Sequence, residues 1–291
     1  MAIREVKLGK VATVKGGKRL PKGINLITKP NPHPYIRVRD LNGKKTLELD
    51  GSFEFVDDET QKAISRYIVT GGDIVLSIVG TIGLVSVVGD SLNEANLTEN
   101  CVKLTSLSGI DRDYLYYYLK SSYGQQEIAR GTVGAVQAKL PIKNIQDISI
   151  PLPDEVTQRK IADILSSLDA KIEVNQRIND NLQQQAAALF SSLYDRTNTE
   201  VRFTDLIQIL GGGTPKTGEN TYWNGNIAFF TPKDVGTPYT LSTEKTITEE
   251  GLSHCNSRLY PVNTVFVTAR GTVGKVGMSG VPMAMNQSCY A

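Results

Sequence analysis

The side chains best placed to do chemistry are the lysines and arginines near the start of the chain. Residues 1–45 hold twelve basic side chains against Glu5 and Asp40, whereas residues 46–113 hold twelve acidic and four basic ones. The whole chain carries a net charge of only +2, so the positive charge is concentrated locally. Such a concentration is typical of a protein that binds a polyanion such as nucleic acid. The alternative is an ordinary surface on which these charges mix with acidic neighbours.

No catalytic or metal-binding pattern accompanies this basic region. His33 and His254 have unrelated neighbours, and no two cysteines have C-x-x-C spacing. Residues 271–276 (GTVGKV) resemble a phosphate-binding loop. A Walker A loop, however, needs glycine where Ala269 stands and serine or threonine where Val276 stands. We therefore expect a non-catalytic chain without a metal or cofactor of its own.

Composition indicates a soluble intracellular protein. Three cysteines are too few for a disulfide scaffold and fit a reducing compartment. No apolar segment follows the first residues as it does in a secretory signal. The longest uncharged stretch, residues 74–89, is shorter than the roughly 20 residues that a membrane-spanning helix needs.

An internal repeat supplies the elements that must position these residues. Four segments recur in the same order with an offset that falls only from 195 to 188: 8–17 with 203–212, 34–41 with 228–235, 80–85 with 271–276, and 100–101 with 288–289. A period this long marks a duplicated domain rather than a solenoid. We expect a first domain over 1–152 and an incomplete second copy over 197–291. The second copy is expected to be marginally stable alone.

A long helix is predicted over 153–196, between the two copies. Residues 155–194 contain neither glycine nor proline, and Asp154 is a suitable N-cap. Steps of four and three residues define a seam expected to pair with another long helix, formed by Ile161, Leu165, Leu168, Ile172, Asn175, Asn179, Leu182, Ala186, Leu189 and Leu193. The two asparagines would fix the register of that pairing. The alternative is a single amphipathic helix lying on its own domain.

The predicted fold class is α+β. Short Val- and Ile-rich runs such as residues 73–79 favour buried strands between glycine turns. A short helix is expected around residues 114–121, with its tyrosine-rich face in the core rather than used as a stacking platform. The chain as a whole is then a β-rich domain, a long coiled-coil helix and a partial second copy of the domain.

Three groups of motifs resemble the specificity subunit of type I restriction-modification systems. The first group is GGTP at 212–215, YWNG at 222–225 and FTPKD at 230–234. The second is ARGTVG at 269–274 with MNQS at 285–288, and the third is PLP at 151–153 with QRKIADIL at 158–165. In that family, two target-recognition domains each read one half of a split DNA sequence. Long helices between them pair antiparallel, act as a spacer and dock the modification (methyltransferase) subunits.

The resemblance implies double-stranded DNA, modification subunits and restriction subunits as partners. S-adenosylmethionine and ATP would be bound by those partner subunits, and the location would be the cytoplasm of a bacterium or archaeon. Lysine and arginine would hold phosphates, while polar side chains on loops would read base edges. The DNA-binding candidates are Lys15, Lys18, Arg19, Lys22, Arg37, Arg39, Arg130, Thr132, Gln137, Thr214, Lys216 and Lys233. Trp223 is expected in the core.

An intact family member would continue through the rest of a second domain and a second long helix. One hypothesis is therefore a half-subunit, in which two copies pair their helices and read a palindromic split site. A second hypothesis is a truncated or dormant fragment that acts only after recombination or pairing. A coiled-coil adaptor or a carbohydrate-binding module is the alternative that does not involve DNA.

Overall fold

The structure is a computed structural model that describes residues 4–41, 43–134, 137–194, 200–236 and 238–291. The chain divides into two units, Met1–Ala188 and Leu189–Ala291, and the division falls inside one long helix. Each unit has its own sheets and hydrophobic clusters and is described by itself. The domain boundaries expected at residues 152 and 196 stay predictions.

The first unit begins with strand β1 and leads into the long helix α6. Its elements are β1 (Arg4–Lys7), α1 (Leu8–Val11), β2 (Thr13–Gly16), β3 (Pro34–Ile36), β4 (Thr46–Leu47), β5 (Glu54–Phe55), α2 (Asp58–Ile64), β6 (Ile74–Ser77), β7 (Val85–Val88), β8 (Asn96–Leu97), β9 (Cys101–Thr105), α3 (Arg112–Lys120), α4 (Ser122–Gly131), α5 (Ile142–Gln146), β10 (Ser149–Leu152) and α6 (Glu155–Tyr194).

A five-stranded sheet forms the middle layer of the first unit. Its order is β2-β9-β6-β7-β4, antiparallel except for the parallel pair β4 and β7. Strands β6 and β7 are buried on both faces, which explains their continuous apolar sequences. Ile74 and Leu76 pack with residues of α3, α4 and α5, whereas Val75 packs towards the three-stranded sheet β5-β3-β8. Strands β1 and β10 form a separate antiparallel pair.

The long helix α6 occupies the residues that the heptad spacing predicts. Asp154 accepts a hydrogen bond from the Thr157 backbone N–H at 3.0 Å, which confirms it as the N-cap. That backbone hydrogen bond holds the pKa of the Asp154 carboxyl below its usual range. Only Gln158 and Ala162 of the helix are buried. Residues 195–196, the end of the predicted helical segment, lie outside the described residues.

The tyrosine-rich helix is found as α3, and its tyrosines are packed in the first unit as predicted. Tyr114 and Tyr116 are buried in the main hydrophobic cluster. The hydroxyls of Tyr114 and Tyr118 donate to backbone carbonyl oxygens of Pro151 and Ser149, at 2.6 and 2.5 Å. These rings therefore stabilise the core and are not offered to a ligand.

The second unit repeats the strand order of the first. Its elements are α7 (Phe203–Leu206), β11 (Trp223–Phe230), β12 (Tyr239–Thr240), β13 (Lys245–Ile247), α8 (Glu249–Ser253), β14 (Val265–Thr268), β15 (Val276–Ser279), β16 (Met283–Met285) and β17 (Cys289–Tyr290). The sheet β13-β11-β16 corresponds to β5-β3-β8, and β12-β15-β14-β17 corresponds to β4-β7-β6-β9. The fold is therefore α+β with a partial second copy, as the repeat predicts.

Candidate functional site

One end of the five-stranded sheet gathers the loops that carry most of the predicted site. Gly16 at the end of β2 pairs with Val102, and Ser77 at the end of β6 pairs with Cys101. The segments that leave or enter the sheet here therefore lie side by side. We call this end, formed by residues 17–22, 37–40, 78–84, 98–100, 132–134 and 137–139, the loop end of the first unit.

The glycine pair at residues 16–17 fixes the first loop against the sheet. The Gly17 N–H donates to the Cys101 carbonyl oxygen at 3.0 Å, and the Lys18 N–H donates to that of Leu97 at 2.7 Å. A Cβ atom at residue 17 would lie 2.0 Å from the Thr98 carbonyl oxygen, so only glycine fits. The side chains of Lys15, Lys18, Arg19 and Lys22 are all exposed, as a phosphate-binding role requires.

A groove of about 420 Å³ opens beside this loop. Strands β3 and β8 are parallel, so the segments after them meet at one edge. The groove is lined on those segments by Arg37, Arg39 and Glu99, and Arg19 and Tyr35 also line it. Three of the predicted DNA-binding arginines thus share one surface depression that the sequence alone did not reveal.

Arg19 and Glu99 form an ion pair across the mouth of the groove. The Arg19 Nε donates to Glu99 Oε1 at 2.6 Å, and the Arg19 side chain is largely exposed. Partial burial opposes ionisation of Glu99, but the hydrogen bond from Arg19 outweighs it and lowers the pKa of Glu99 below its usual range. The pair therefore stays charged at neutral pH.

Arg37 and Arg39 play different parts although only one residue separates them. The Arg37 guanidinium forms an ion pair with Glu54, and its side chain is only 20% exposed. Its backbone N–H donates to Asp40 Oδ2 at 2.7 Å. The Arg39 side chain is 56% exposed and lies 3.5 Å from both Asp40 and Glu54. Arg37 thus holds the loop together, whereas Arg39 is the one that a ligand can reach.

A glycine hairpin links the groove to the second predicted loop. Ser77 Oγ donates to the Thr81 carbonyl oxygen at 2.6 Å, and Gly80 and Gly83 take φ angles of +79° and +91°. The Ile78 N–H donates to the Asn100 carbonyl oxygen at 2.8 Å, which places the hairpin against the groove.

The second loop runs beside this hairpin. Lys139 pairs with both Val79 and Val133. Arg130 is exposed and paired with Glu127, Thr132 Oγ1 donates to the Ile128 carbonyl oxygen at 2.9 Å, and Gln137 is exposed. Residues 135–136 of this predicted loop lie outside the described residues.

Lys139 is a candidate that the sequence reasoning missed. It is exposed at the loop end, although its place follows from strand pairing and not from a motif. The only signal in the sequence was its distance of two residues from Gln137. Thr132, in contrast, uses its hydroxyl to bond the last turn of α4.

The second unit reproduces this loop geometry with different side chains. A Cβ atom at Gly212 would lie 2.3 Å from the Asn286 carbonyl oxygen, as at Gly17. Thr214 Oγ1 donates to Gln287 Oε1, at the position of the ion pair between Arg19 and Glu99 in the first unit. The first unit therefore places charge where the second places neutral hydrogen-bonding groups.

The other predicted residues of the second unit are accessible. Lys216 is exposed, and Lys233 is exposed with its Nζ 3.6 Å from Glu244 Oε2. Trp223 is half-buried and packs edge-on against Phe229 at 5.5 Å, in agreement with a core role.

Residues 271–274 form the hairpin between β14 and β15. A Walker A loop leads from a strand into a helix, so the structure agrees with its exclusion. Thr268 bonds the Thr272 carbonyl oxygen as Ser77 bonds that of Thr81. Arg270 and Lys275 flank the hairpin and are exposed, and sequence reasoning missed both because it treated this segment only as a rejected phosphate loop.

The helical seam is exposed along most of α6. Leu165 is half-buried, and the remaining seam side chains face solvent: Ile161, Leu168, Ile172, Asn175, Asn179, Leu182, Ala186, Leu189 and Leu193. A stripe of this length is longer than the contact that the first unit makes with α6, so the alternative of a helix lying along its own domain does not hold for residues 170–188.

Among the described residues, no three His, Cys, Asp or Glu side chains lie close enough together to hold a metal ion. Within the same residues, no helix has the length and apolar character that crossing a membrane requires.

Two segments of the chain, residues 3–184 and 196–291, match the family model described as the type I restriction modification DNA specificity domain. The chain belongs to this family. The expectation drawn from the motifs is thereby confirmed, and the match in two segments agrees with the repeated strand order.

Relatives in the family include characterised specificity subunits. The chain is 28% identical over 194 residues to the EcoR124I/EcoR124II specificity subunit of Escherichia coli. The aligned region covers 61% of this chain and 46% of that protein. It is 34% identical over 89 residues to the MjaIX specificity subunit of Methanocaldococcus jannaschii, covering 30% and 21% respectively. The chain thus spans less than half the length of these relatives.

The fold matches a solved member of the family. The crystal structure of the type I restriction-modification S subunit from M. genitalium aligns over 100% of this chain and 72% of its own, with a TM-score of 0.55 and 16% identity. At this identity the match supports the fold alone.

Proposed function

We propose that this chain is the DNA-reading component of a type I restriction-modification complex. It directs adenine-methyltransferase and restriction subunits to a bipartite DNA target and has no catalytic role of its own. The observation that carries the proposal is the loop end, where glycine-pinned loops present exposed cations and polar groups around one groove. Specificity subunits of type I systems belong to this family. In the proposed complex, the partner subunits would bind S-adenosylmethionine and ATP.

The proposed division of labour follows from what each side chain can reach. Lys15, Lys18 and Lys22 are exposed and form no ion pair among the described residues, so they are suited to phosphates. Arg39 and Gln137 are suited to base edges, because both can form two parallel hydrogen bonds to a purine. Arg37 supports Arg39 by neutralising Glu54. The complex would work in the cytoplasm of a bacterium or archaeon.

We also propose that α6 pairs with another long helix, and that a second copy of this chain is one such partner. The exposed seam with Asn175 and Asn179 near its middle supports this role. Two copies related by a twofold axis would present two identical first units, so the target would be a palindromic split site.

The test is a DNA-binding titration of the full chain with its modification subunits at several salt concentrations. Lys15→Gln, Lys18→Gln and Lys22→Gln combined should lower the slope of log affinity against log salt by about 3, because each phosphate contact contributes about 1. Lys10→Gln is the matched control, because Lys10 is exposed on α1 at the opposite end of β2. Binding that ignores salt in the unsubstituted chain would contradict the proposal and favour a carbohydrate or adaptor role.

A further inference from the structure

Helix α6 is attached to the first unit through one face of its first four turns. Gln158 is buried, accepts a hydrogen bond from the Asp111 N–H at 2.8 Å and donates to the Pro153 carbonyl oxygen at 2.9 Å. Ala162 is buried one turn further on, in the main hydrophobic cluster. These contacts fix where the helix begins. Because they lie within one turn of each other, they do not by themselves determine the direction of the helix axis.

A half-buried lysine makes a second attachment. Lys45, from the loop before β4, donates to Asp113 Oδ2 of α3 and to Ser166 Oγ of α6, each at 2.7 Å. Its side chain is only 18% exposed. The burial of Asp113 is outweighed by hydrogen bonds from Arg112 and Lys45, which lower the pKa of this carboxyl. One ammonium group therefore joins a loop, a short helix and the long helix.

A tyrosine makes the third attachment, one turn further along. Tyr117 of α3 donates through its hydroxyl to Asp169 Oδ2 at 2.7 Å. Lys45 Nζ lies 4.9 Å from the centre of the Tyr117 ring, a cation–π distance. Burial, together with the nearby Asp169 carboxylate, raises the pKa of Tyr117 to about 12, so its hydroxyl keeps the proton that it donates.

Together these contacts define a direction and not only a point of attachment. Asp169 lies eleven residues after Gln158, roughly 16 Å along the helix axis. Every side chain from residue 170 to residue 188 is exposed, so within the first unit nothing beyond Asp169 guides the helix. A change of direction of about 10° at Asp169 would displace residue 184 by roughly 4 Å.

We infer that the contacts of Lys45 with Asp113 and Ser166, and of Tyr117 with Asp169, form a clamp that sets the direction of α6 relative to the loop end. Lys45 and Tyr117 are positioning residues: their contacts hold the helix and so determine where the recognition loops stand with respect to the spacer. The consequence for DNA rests on the proposed function. If the chain reads a split DNA target as proposed, the clamp restricts the number of base pairs that the complex accepts between the two halves of that target.

The experiment measures the helix direction without using DNA. Spin labels at Ala63→Cys on α2 and Gln184→Cys on α6, in a Cys255→Ser background, report the distance between the body of the first unit and the helix in the full chain. Both labelled positions are exposed. We expect a narrow distance distribution that broadens by roughly 4 Å or more in Tyr117→Phe combined with Lys45→Met. Lys45→Arg should keep it narrow, because a guanidinium can bond both partners.

Tyr118→Phe is the matched control. It removes a hydroxyl from the same helix, α3, but that hydroxyl bonds Ser149 within the body of the unit and not α6. A distribution that stays narrow in the combined variant, with thermal unfolding unchanged, overturns the clamp. Equal broadening in Tyr118→Phe also overturns it, because loosening of α3 would then be the cause.

A second measurement tests the consequence for DNA. Methylation of targets whose spacer is one base pair longer or shorter should rise at least about tenfold, relative to the normal target, in the combined variant. A distance distribution that broadens without a rise in methylation of these altered targets would overturn the role of the clamp in setting the DNA spacer length, and would leave the clamp itself established. Failure of the unsubstituted complex to prefer any target would contradict the proposed function and leave the distance result unaffected.

Discussion

The two units have the same strand order but differ in what covers one face of their larger sheet. In the first unit, Ile74 and Leu76 are fully buried beneath α3, α4 and α5. The equivalent residues of the second unit, Val265 and Val267, are 46% and 37% exposed. The order of strands is therefore specified by the strands and their turns, whereas the burial that stabilises them depends on a helical layer found only in the first unit among the described residues.

The glycine loops and the hairpins at the end of the larger sheet have the same geometry in both units, in spite of this difference in burial. Gly17 and Gly212 approach the opposite backbone equally closely, and Ser77 and Thr268 bond their hairpins in the same way. The geometry of the glycine loop and of the hairpin thus depends on the strand ends and not on the helical layer. The loop that follows α4 belongs to that layer and is found only in the first unit among the described residues. The second unit therefore keeps the loop geometry of the first, although its described residues place no helical layer over the larger sheet.

The largest expected effect concerns resistance to protease. The second unit exposes the apolar face that the first unit buries, so it should open more readily, by a factor of roughly 1,000 in cleavage rate. Limited proteolysis followed by mass spectrometry should remove residues 197–291 while residues 1–196 survive. Equal resistance of both regions would contradict the comparison and the idea of an incompletely folded second copy.

Substitution of the pinned glycines should be nearly as damaging, and similar in both units. Gly17→Ala and Gly212→Ala each place a Cβ atom within 2.3 Å of a carbonyl oxygen, so each should destabilise its unit by about 4 kcal/mol. Gly80→Ala is the control, because its φ of +79° is strained but no atom lies within 4 Å. It should cost only about 1–2 kcal/mol. Hydrogen exchange of each unit measures the difference, and a mild effect at Gly17 would refute the close approach.

Truncation of side chains at equivalent strand positions should destabilise the first unit more than the second. Leu76→Ala removes a fully buried side chain and should cost about 3 kcal/mol in the first unit. Val267→Ala, at the equivalent strand position, should cost less than about 1 kcal/mol because the side chain is already partly in water. Hydrogen exchange of β6 and β14 measures both. Similar costs would show that a partner covers β14 in solution.

The smallest expected effect is a pH dependence confined to the first unit. Burial raises the pKa of Asp40 from 3.8 to about 6, so the folded state binds this proton more tightly than the unfolded chain does. The resulting stability is present below about pH 4 and is lost as the pH rises through 6, on the order of 2 kcal/mol. Asp40→Asn should remove this pH dependence of the free energy of unfolding, measured by urea unfolding that is monitored through hydrogen exchange. An unchanged pH profile in that variant would assign the effect to another group.

Features encoded locally could be predicted from the sequence. The heptad spacing and Asp154 define α6, and the paired glycines mark both the repeat and the loops that hold the site. Contacts between distant segments could not be predicted. Arg37 forms an ion pair with Glu54 because β3 pairs with β5. Lys45 donates a hydrogen bond to Ser166, which lies 121 residues later in the sequence. Lys139 joins the site only through strand pairing.

The central claim, that this chain selects the DNA sequence, is tested most directly by mapping methylated adenines across the genome of a host that makes it with its modification subunit. We predict methylation at a single bipartite motif that disappears when this chain is omitted and changes in Arg39→Gln. A palindromic motif is expected if two copies pair through α6. Methylation without a motif, or a motif that persists in the absence of this chain, would contradict the claim.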